Sequence, residues 1–170
     1  MNVKNLILLT CLLCVFLANA QKIRYGFSIG LNRMSYQFPY SLIDNTSDDV
    51  ITARGNGLML GALARITLNN KWQLKPEIDG VNITLGGLRT YMIHVPIMVR
   101  YRLNEQFQLF GGPSLNYLTY SYAPERFKLN ADFGVAFQFD DYFDVACKYS
   151  YGPMGQATLS GAFISLEFAY

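Results

Sequence analysis

The side chain best suited to acid–base chemistry is His94, the only histidine in a chain of 170 residues. Ser114 and Asn116 follow at a spacing that lets a hairpin bring them beside it. Some barrel enzymes that modify membrane lipids use histidine with serine or aspartate. A buried histidine hydrogen-bonded to such neighbours explains the same residues without catalysis, and we favour that interpretation. The sequence therefore predicts no catalytic residue.

Metal-binding residues are also sparse. A single histidine without a cluster of cysteine and aspartate makes a transition-metal site improbable. Asp44, Asp48 and Asp49 lie close together and could bind a cation, but a solvated loop is the simpler explanation. We therefore predict no metal and no cofactor.

Charged residues recur at alternate positions of several segments, among small residues. They could line a channel, but an unpaired buried charge is costly, so we expect them to pair and plug an interior. Lys75, Arg102, Lys128 and Asp144 are further inward charges. The predicted polar network of the lumen consists of Arg24, Arg65, Glu77, Asp79, His94, Arg100, Asp132, Lys148 and Glu167.

Alternation of apolar and polar residues defines the elements that must position these groups. It is clearest over 91–103 and 107–118, on either side of the polar residues 104–106, which predicts a hairpin. These runs are about twice the usual ~5–6 residues of a soluble strand and suit a tilted membrane strand of ~9–11 residues. Tyr91 and Tyr101 share a face and would lie roughly 23 Å apart along the membrane normal. Aromatic girdles bracket an apolar band of about 25 Å in outer-membrane barrels.

The whole chain contains eight alternating runs. Short turns join the second to the third, the fourth to the fifth and the sixth to the seventh, whereas the other connections are longer, with 33–56 the longest irregular stretch. The layout predicts an all-β fold, an eight-stranded antiparallel transmembrane up-and-down barrel. The predicted strands are Ile23–Asn32, Gly57–Leu68, Trp72–Ile83, Tyr91–Leu103, Phe107–Leu118, Phe127–Phe139, Tyr142–Gly152 and Thr158–Tyr170.

Side-chain volume predicts which face of the barrel points outward. The interior of an eight-stranded barrel is just wide enough for side chains to fill. The polar face carries many Gly, Ser and Ala residues, whereas the other carries Ile, Leu, Phe and Tyr at almost every place. So many large groups cannot be packed inside at native density, so the apolar face should contact lipid.

The first twenty residues have the pattern of a cleaved signal peptide. Lys4 precedes the apolar run 6–17, and Ala18-Asn19-Ala20 is a small-residue cleavage site. We therefore divide the chain into a signal peptide, 1–20, and an outer-membrane barrel, 21–170. Without the leader, 13 Lys and Arg (14 less Lys4) face 12 Asp and Glu, which does not suggest a nucleic-acid partner.

Six segments carry a resemblance to a known family, in the same order along the chain. They are 74–78 (LKPEI), 93–97 (IHVPI), 100–103 (RYRL), 111–114 (GGPS), 132–135 (DFGV) and 148–152 (KYSYG). Together they resemble the PorT-like outer-membrane β-barrel family, which is similar in architecture to small barrels of the OmpA and OmpX kind. The resemblance implies a fold and a location, with a role in protein secretion for a few members, and no catalytic residues to transfer.

We thus predict an exported barrel in the outer membrane of a Gram-negative bacterium, with a structural, interaction or secretion-assisting role. A narrow porin and, less favoured, a lipid-modifying enzyme are the alternatives. Expected partners are membrane lipid and lipopolysaccharide, other envelope or secretion proteins, and the outer-membrane assembly machinery, which would read the strand ending at Tyr170.

Two contacts are also predicted. A turn centred on Asp140 would set Asp132 opposite Lys148. Closure of the barrel between its last and first strands would bring Glu167 to Arg24, since an open strand edge in lipid leaves backbone groups unsatisfied.

Overall fold

The computed structural model describes residues 22–39, 50–85, 88–119, 126–152 and 157–170. The predicted signal peptide, 1–20, and the three acidic residues Asp44, Asp48 and Asp49 lie outside these ranges. Within them, no helix is both long enough and apolar enough to cross a bilayer.

Eight antiparallel strands form a closed barrel in chain order. Each strand pairs with its sequence neighbours, and β1 pairs with β8, which confirms the predicted fold and its closure. The strands are β1 Lys22–Pro39, β2 Val50–Thr67, β3 Trp72–Leu85, β4 Leu88–Arg102, β5 Phe107–Leu118, β6 Phe127–Gln138, β7 Phe143–Gly152 and β8 Thr158–Ala169.

The strands are strongly staggered around the barrel. Paired residues followed from Ile23 through each strand in turn lead back to β1 at Arg33, ten positions along the same strand. A stagger of this size tilts the strands and widens the interior, so that side chains can fill it. Residues distant in sequence therefore meet inside.

One end of the barrel carries tight turns, at 68–71, 103–106 and 139–142, together with both termini of the described chain. We call this the turn end, and the opposite end the loop end. Asn69, Asn104 and Asp140 each accept two backbone N–H bonds from the residues that follow, which fixes the turns.

The predicted faces are confirmed for most of the wall. Large apolar side chains such as Tyr25, Leu60 and Phe127 are each 64% exposed, as a lipid-facing surface requires. The alternating charged residues lie inside.

Near the loop end the polar and apolar residues exchange faces of the wall, an exchange that we call the phase inversion. On β1, Leu31 points outward and Asn32 inward, but beyond them Arg33 is exposed while Met34 and Tyr36 are buried. Strand β3 does the same, with Val81 and Ile83 inside. On these two strands, the wall beyond this level has the polar exterior and apolar interior of a water-soluble barrel.

The strands that carry this inversion are longer than predicted, which corrects two predictions about the loops. Residues 33–56 are not one irregular stretch, because 33–39 and 50–56 extend β1 and β2 and pair with each other. The connection between β3 and β4 is not long either, since only two residues separate Leu85 from Leu88.

Candidate functional site in the barrel lumen

The lumen near the turn end holds three cations and three carboxylates in mutual contact, which we call the turn-side cluster. Arg100 of β4 lies at its centre, with Nη1 2.6 Å from Asp144 Oδ2 and Nη2 bonded to Glu167. Arg65 Nη2 lies 2.9 Å from Asp144 Oδ2 and 3.3 Å from Glu167 Oε2. Each carboxylate therefore serves more than one cation, as a buried ionic network requires.

Lys75 completes this cluster from β3. Its Nζ donates to Glu167 Oε1 at 2.7 Å and also contacts Glu77. The ammonium lies 5.2 Å from the centre of the Phe110 ring, a cation–π distance. Glu77 then reaches the next layer, where its Oε2 is 3.4 Å from Lys148 Nζ.

That next layer is the histidine cluster, built around His94. Its Nδ1 lies 2.6 Å from Asn116 Oδ1, and its Nε2 lies 3.0 Å from Asp132 Oδ2 and 3.1 Å from Lys148 Nζ. Asp79 Oδ2 is 3.5 Å from the same ammonium. These groups come from β3, β4, β5, β6 and β7, so the cluster ties five strands together.

Ser114 and His94 both contact Asp132, on different carboxylate oxygens. Ser114 Oγ donates to Asp132 Oδ1 at 2.7 Å, whereas His94 Nε2 lies against Oδ2. His94, Asp132 and Ser114 are all buried, at no more than 2% exposure. Of the two neighbours predicted for His94, Asn116 therefore contacts the ring directly and Ser114 reaches it only through the Asp132 carboxylate.

An apolar plug covers the histidine cluster on the loop side. Phe163 links the two, since its ring stacks on His94 at 5.3 Å between centroids and lies 5.0 Å from Lys148 Nζ. The sequence pattern contained the signal, as apolar residues occupy inward positions near the loop end. The plug consists of Met34, Tyr36, Met59, Val81, Ile83, Met92, Leu118, Ala157, Leu159 and Phe163.

The charges buried in the lumen are balanced. Lys128, the cation nearest the loop end, donates to the Ala157 carbonyl at 2.8 Å. No charged group of the set is more than 7% exposed. The buried cations are Arg65, Lys75, Arg100, Lys128 and Lys148, and the buried carboxylates are Glu77, Asp79, Asp132, Asp144 and Glu167.

Eight of the nine residues predicted for the polar network lie in these two clusters, and Arg24 does not. It sits at the turn end and bonds to the backbone and side chain of Asp141. The predicted Arg24–Glu167 contact is wrong because Glu167 is paired with Ser28, and the backbone bonds of the seam between β1 and β8 end at Tyr25 and Tyr170. Arg24 lies below the last paired residue of β8.

The predicted Asp132–Lys148 pair is also wrong. The β6–β7 turn is centred one residue later than Asp140, which places Asp132 opposite Ser150 and Lys148 opposite Gly134. Asp132 instead bonds to Ser114 and lies against His94, and Lys148 reaches Glu77 and Asp79 on β3. A shift of two residues along one strand kept both side chains inside but changed their partners.

Within the described part of the chain, no group of three or more His, Cys, Asp or Glu side chains is arranged to hold a metal ion. Four of the five buried carboxylates instead contact Arg or Lys, and Asp132 contacts Ser114 and His94.

Comparisons with known proteins agree with this architecture. Residues 19–155 match the family described as outer membrane protein β-barrel domain. No curated protein matches the chain.

Solved structures share the fold at low sequence identity. Ail, the attachment invasion locus protein of Yersinia pestis, is 17% identical with a TM-score of 0.58, over 88% of this chain and 100% of that one. Ail in complex with the heparin analogue sucrose octasulfate gives 15% and 0.54 over the same shares. Neisserial surface protein A gives 13% and 0.54, over 85% of this chain and 97% of its own.

Proposed function

Because the chain belongs to the outer membrane protein β-barrel domain family, we propose that it is an integral outer-membrane protein whose lumen is closed to solutes. Its role is carried by its outer surface and loop end, as a structural, interaction or secretion-assisting component of the envelope. The observation that carries this proposal is the balanced set of buried charges beneath the apolar plug.

We infer the orientation of the proposed protein from the general layout of outer-membrane barrels. Outer-membrane barrels have short periplasmic turns and longer extracellular loops. The turn end, with its tight turns and both termini of the described chain, then faces the periplasm. The loop end faces the outside and is the part available to other molecules.

Solute passage would require breaking the lumen network. Arg100 contacts both Asp144 and Glu167. Removing one partner of a buried ion pair costs about 3–5 kcal/mol. A water file would also have to cross the apolar plug, where Met92, Ile83 and Leu159 are at most 1% exposed. Both layers oppose conduction, and they do so by independent physical effects.

The test is conductance of the purified full-length barrel in planar lipid bilayers. We expect no regular current steps from the wild type. The double variant Arg100→Ala with Phe163→Ala truncates one large side chain in each layer and should give measurable current steps. Such steps would show that the assay can detect an opened lumen. Glu105→Ala, in an exposed turn, is the matched control and should stay silent.

Reproducible wild-type steps that Phe163→Ala enlarges would contradict the closed lumen. They would favour the second function, a narrow pore for small solutes.

A further inference from the structure

Arg33 and Arg54 lie on the outer wall close to the loop end, as does Arg89 of β4. Arg33 directly follows Leu31 on the outward face of β1, and Arg54 occupies the corresponding face of β2. The register pairs Arg33 with Asn56 and Ser35 with Arg54, so the two arginines are diagonal neighbours. Such neighbours have Cβ atoms roughly 7–8 Å apart, within reach of one bound group.

Neither arginine has a carboxylate partner among the described residues. The ion pairs of this part of the chain involve inward groups or Arg24, and the outward positions of the described strands carry no Asp or Glu. Arg24 at the turn end, by contrast, is neutralised by Asp141. Among the described residues, no acidic side chain neutralises the positive charge on this stretch of wall.

The two arginines line one shallow groove. It runs across β1, β2, β7 and β8, with Ser35, Ser160 and Tyr149 as the other polar lining groups. Ala162 occupies an outward position where most of this wall carries a large side chain, which leaves room for the groove. A guanidinium fork with neighbouring hydroxyls suits the oxygens of a phosphate.

A second groove continues from the first toward the middle of the wall. It shares Arg33 and Ala162 with the upper groove, and its other outward lining residues are Leu31, Asn56 and Ile164. Leu31 and Ile164 are paired across the seam and are 61% and 56% exposed. A charged recess that runs into an apolar one on a lipid-facing wall has the shape of an amphiphile.

We propose that these joined grooves bind a phosphorylated lipid of the outer leaflet, with its phosphate on Arg33 and Arg54 and an acyl chain on Leu31 and Ile164. A lipid is favoured over a soluble anion because the arginines point out of the wall at the upper limit of its apolar band. The inference rests on the proposed membrane location but not on the closed lumen.

The test measures binding of lipid A, with and without its phosphate groups, to the full-length protein in detergent by native mass spectrometry. Arg33→Gln with Arg54→Gln should weaken binding of the phosphorylated lipid by about tenfold or more. Lys22→Gln with Lys71→Gln removes the same charge from exposed sites at the turn end and should leave binding unchanged. Removing the phosphates should weaken binding to the wild type and abolish the difference between the variants.

Equal loss of lipid A binding in both double variants would show that net charge, not the site at Arg33 and Arg54, determines binding, and would contradict the proposal. Retained lipid binding with loss of binding to inorganic phosphate alone would assign the arginines to a soluble anion instead. The shift between unboiled and boiled samples on a gel checks that each variant is a folded barrel. Failure of the site leaves that shift and the silent conductance intact, so the two proposals fail separately.

Discussion

Arg100 on β4 and Glu167 on β8 bond to each other across the full width of the lumen, from strands with three others between them in either direction. The contact links the last strand of the chain to its middle. Lys75 and Arg65 converge on the same carboxylate from β3 and β2. Glu167 is thus the common anion of the turn-side cluster.

Glu167→Gln should lower the free energy of unfolding by about 3–5 kcal/mol, because it leaves excess buried positive charge. Urea unfolding in detergent micelles measures the change. Adding Arg100→Gln restores the charge balance, so the double variant should be more stable than the single one. Asp141→Asn, at an ion pair whose carboxylate is 73% exposed, should cost no more than about 1 kcal/mol. Additive losses from the two lumen changes would contradict a direct pair.

Gly61 and Gly80 provide a matched test of which face of the wall is packed. A methyl group on Gly61 would collide with the Asp79 carboxylate and the Ser28 hydroxyl, whereas one on Gly80 would meet only the Leu60 carbonyl oxygen, at 3.7 Å. Gly61→Ala should therefore destabilise the barrel by about 1–3 kcal/mol. Gly80→Ala should be neutral or slightly stabilising, because alanine restricts the unfolded chain. Equal effects in thermal unfolding would contradict a filled lumen.

His94→Asn tests whether the histidine cluster is structural. It removes the stack on Phe163 and the contacts to Asp132 and Lys148, so stability should fall by about 1–3 kcal/mol. The lipid composition of the outer membrane should be the same in cells that express the variant and in cells that express the wild type. Loss of one modified lipid species in the variant strain, with the barrel still folded, would identify an enzyme.

The sequence was sufficient for the strands and their faces because both follow from a local period of two. It did not determine lumen partners. Asp132 and Lys148 were placed on the correct face, yet their contacts depend on the turn centre and on the stagger of all eight strands, which no local pattern encodes. Arg100 and Glu167 are 67 residues apart and meet only because the barrel closes.

The phase inversion explains the other error. The outward apolar residues of β1 end at Leu31, because the next outward positions are the polar residues Arg33, Ser35 and Gln37, so the predicted strand ends at Asn32. The alternation continues, but Met34 and Tyr36 carry the apolar signal inward. A strand that leaves the bilayer and remains in the sheet must exchange its faces in this way, because water replaces lipid outside.

Tyr170 closes the seam of the barrel by backbone bonds that no other residue can supply. Its N–H donates to the Tyr25 carbonyl at 2.9 Å, and the Tyr25 N–H donates to the Tyr170 carbonyl at 3.1 Å. Deleting Tyr170 removes both bonds of Tyr25 and shortens the seam at the turn end, where the backbone must otherwise bond to water. Tyr170→Ala keeps both bonds and loses only the ring, which is 79% exposed.

The two changes therefore separate the backbone bonds of the seam from the predicted recognition of Tyr170 by the assembly machinery. In refolding into lipid vesicles, without any machinery, the deletion should lower the yield of heat-shifted barrel while Tyr170→Ala should match the wild type. In cells both should reduce the amount of folded barrel if the machinery reads the ring at position 170, because both changes remove that ring. A deletion that refolds with wild-type yield in vesicles would show that the seam does not need these bonds. Equal yields of Tyr170→Ala and wild type in cells would remove the ring from recognition.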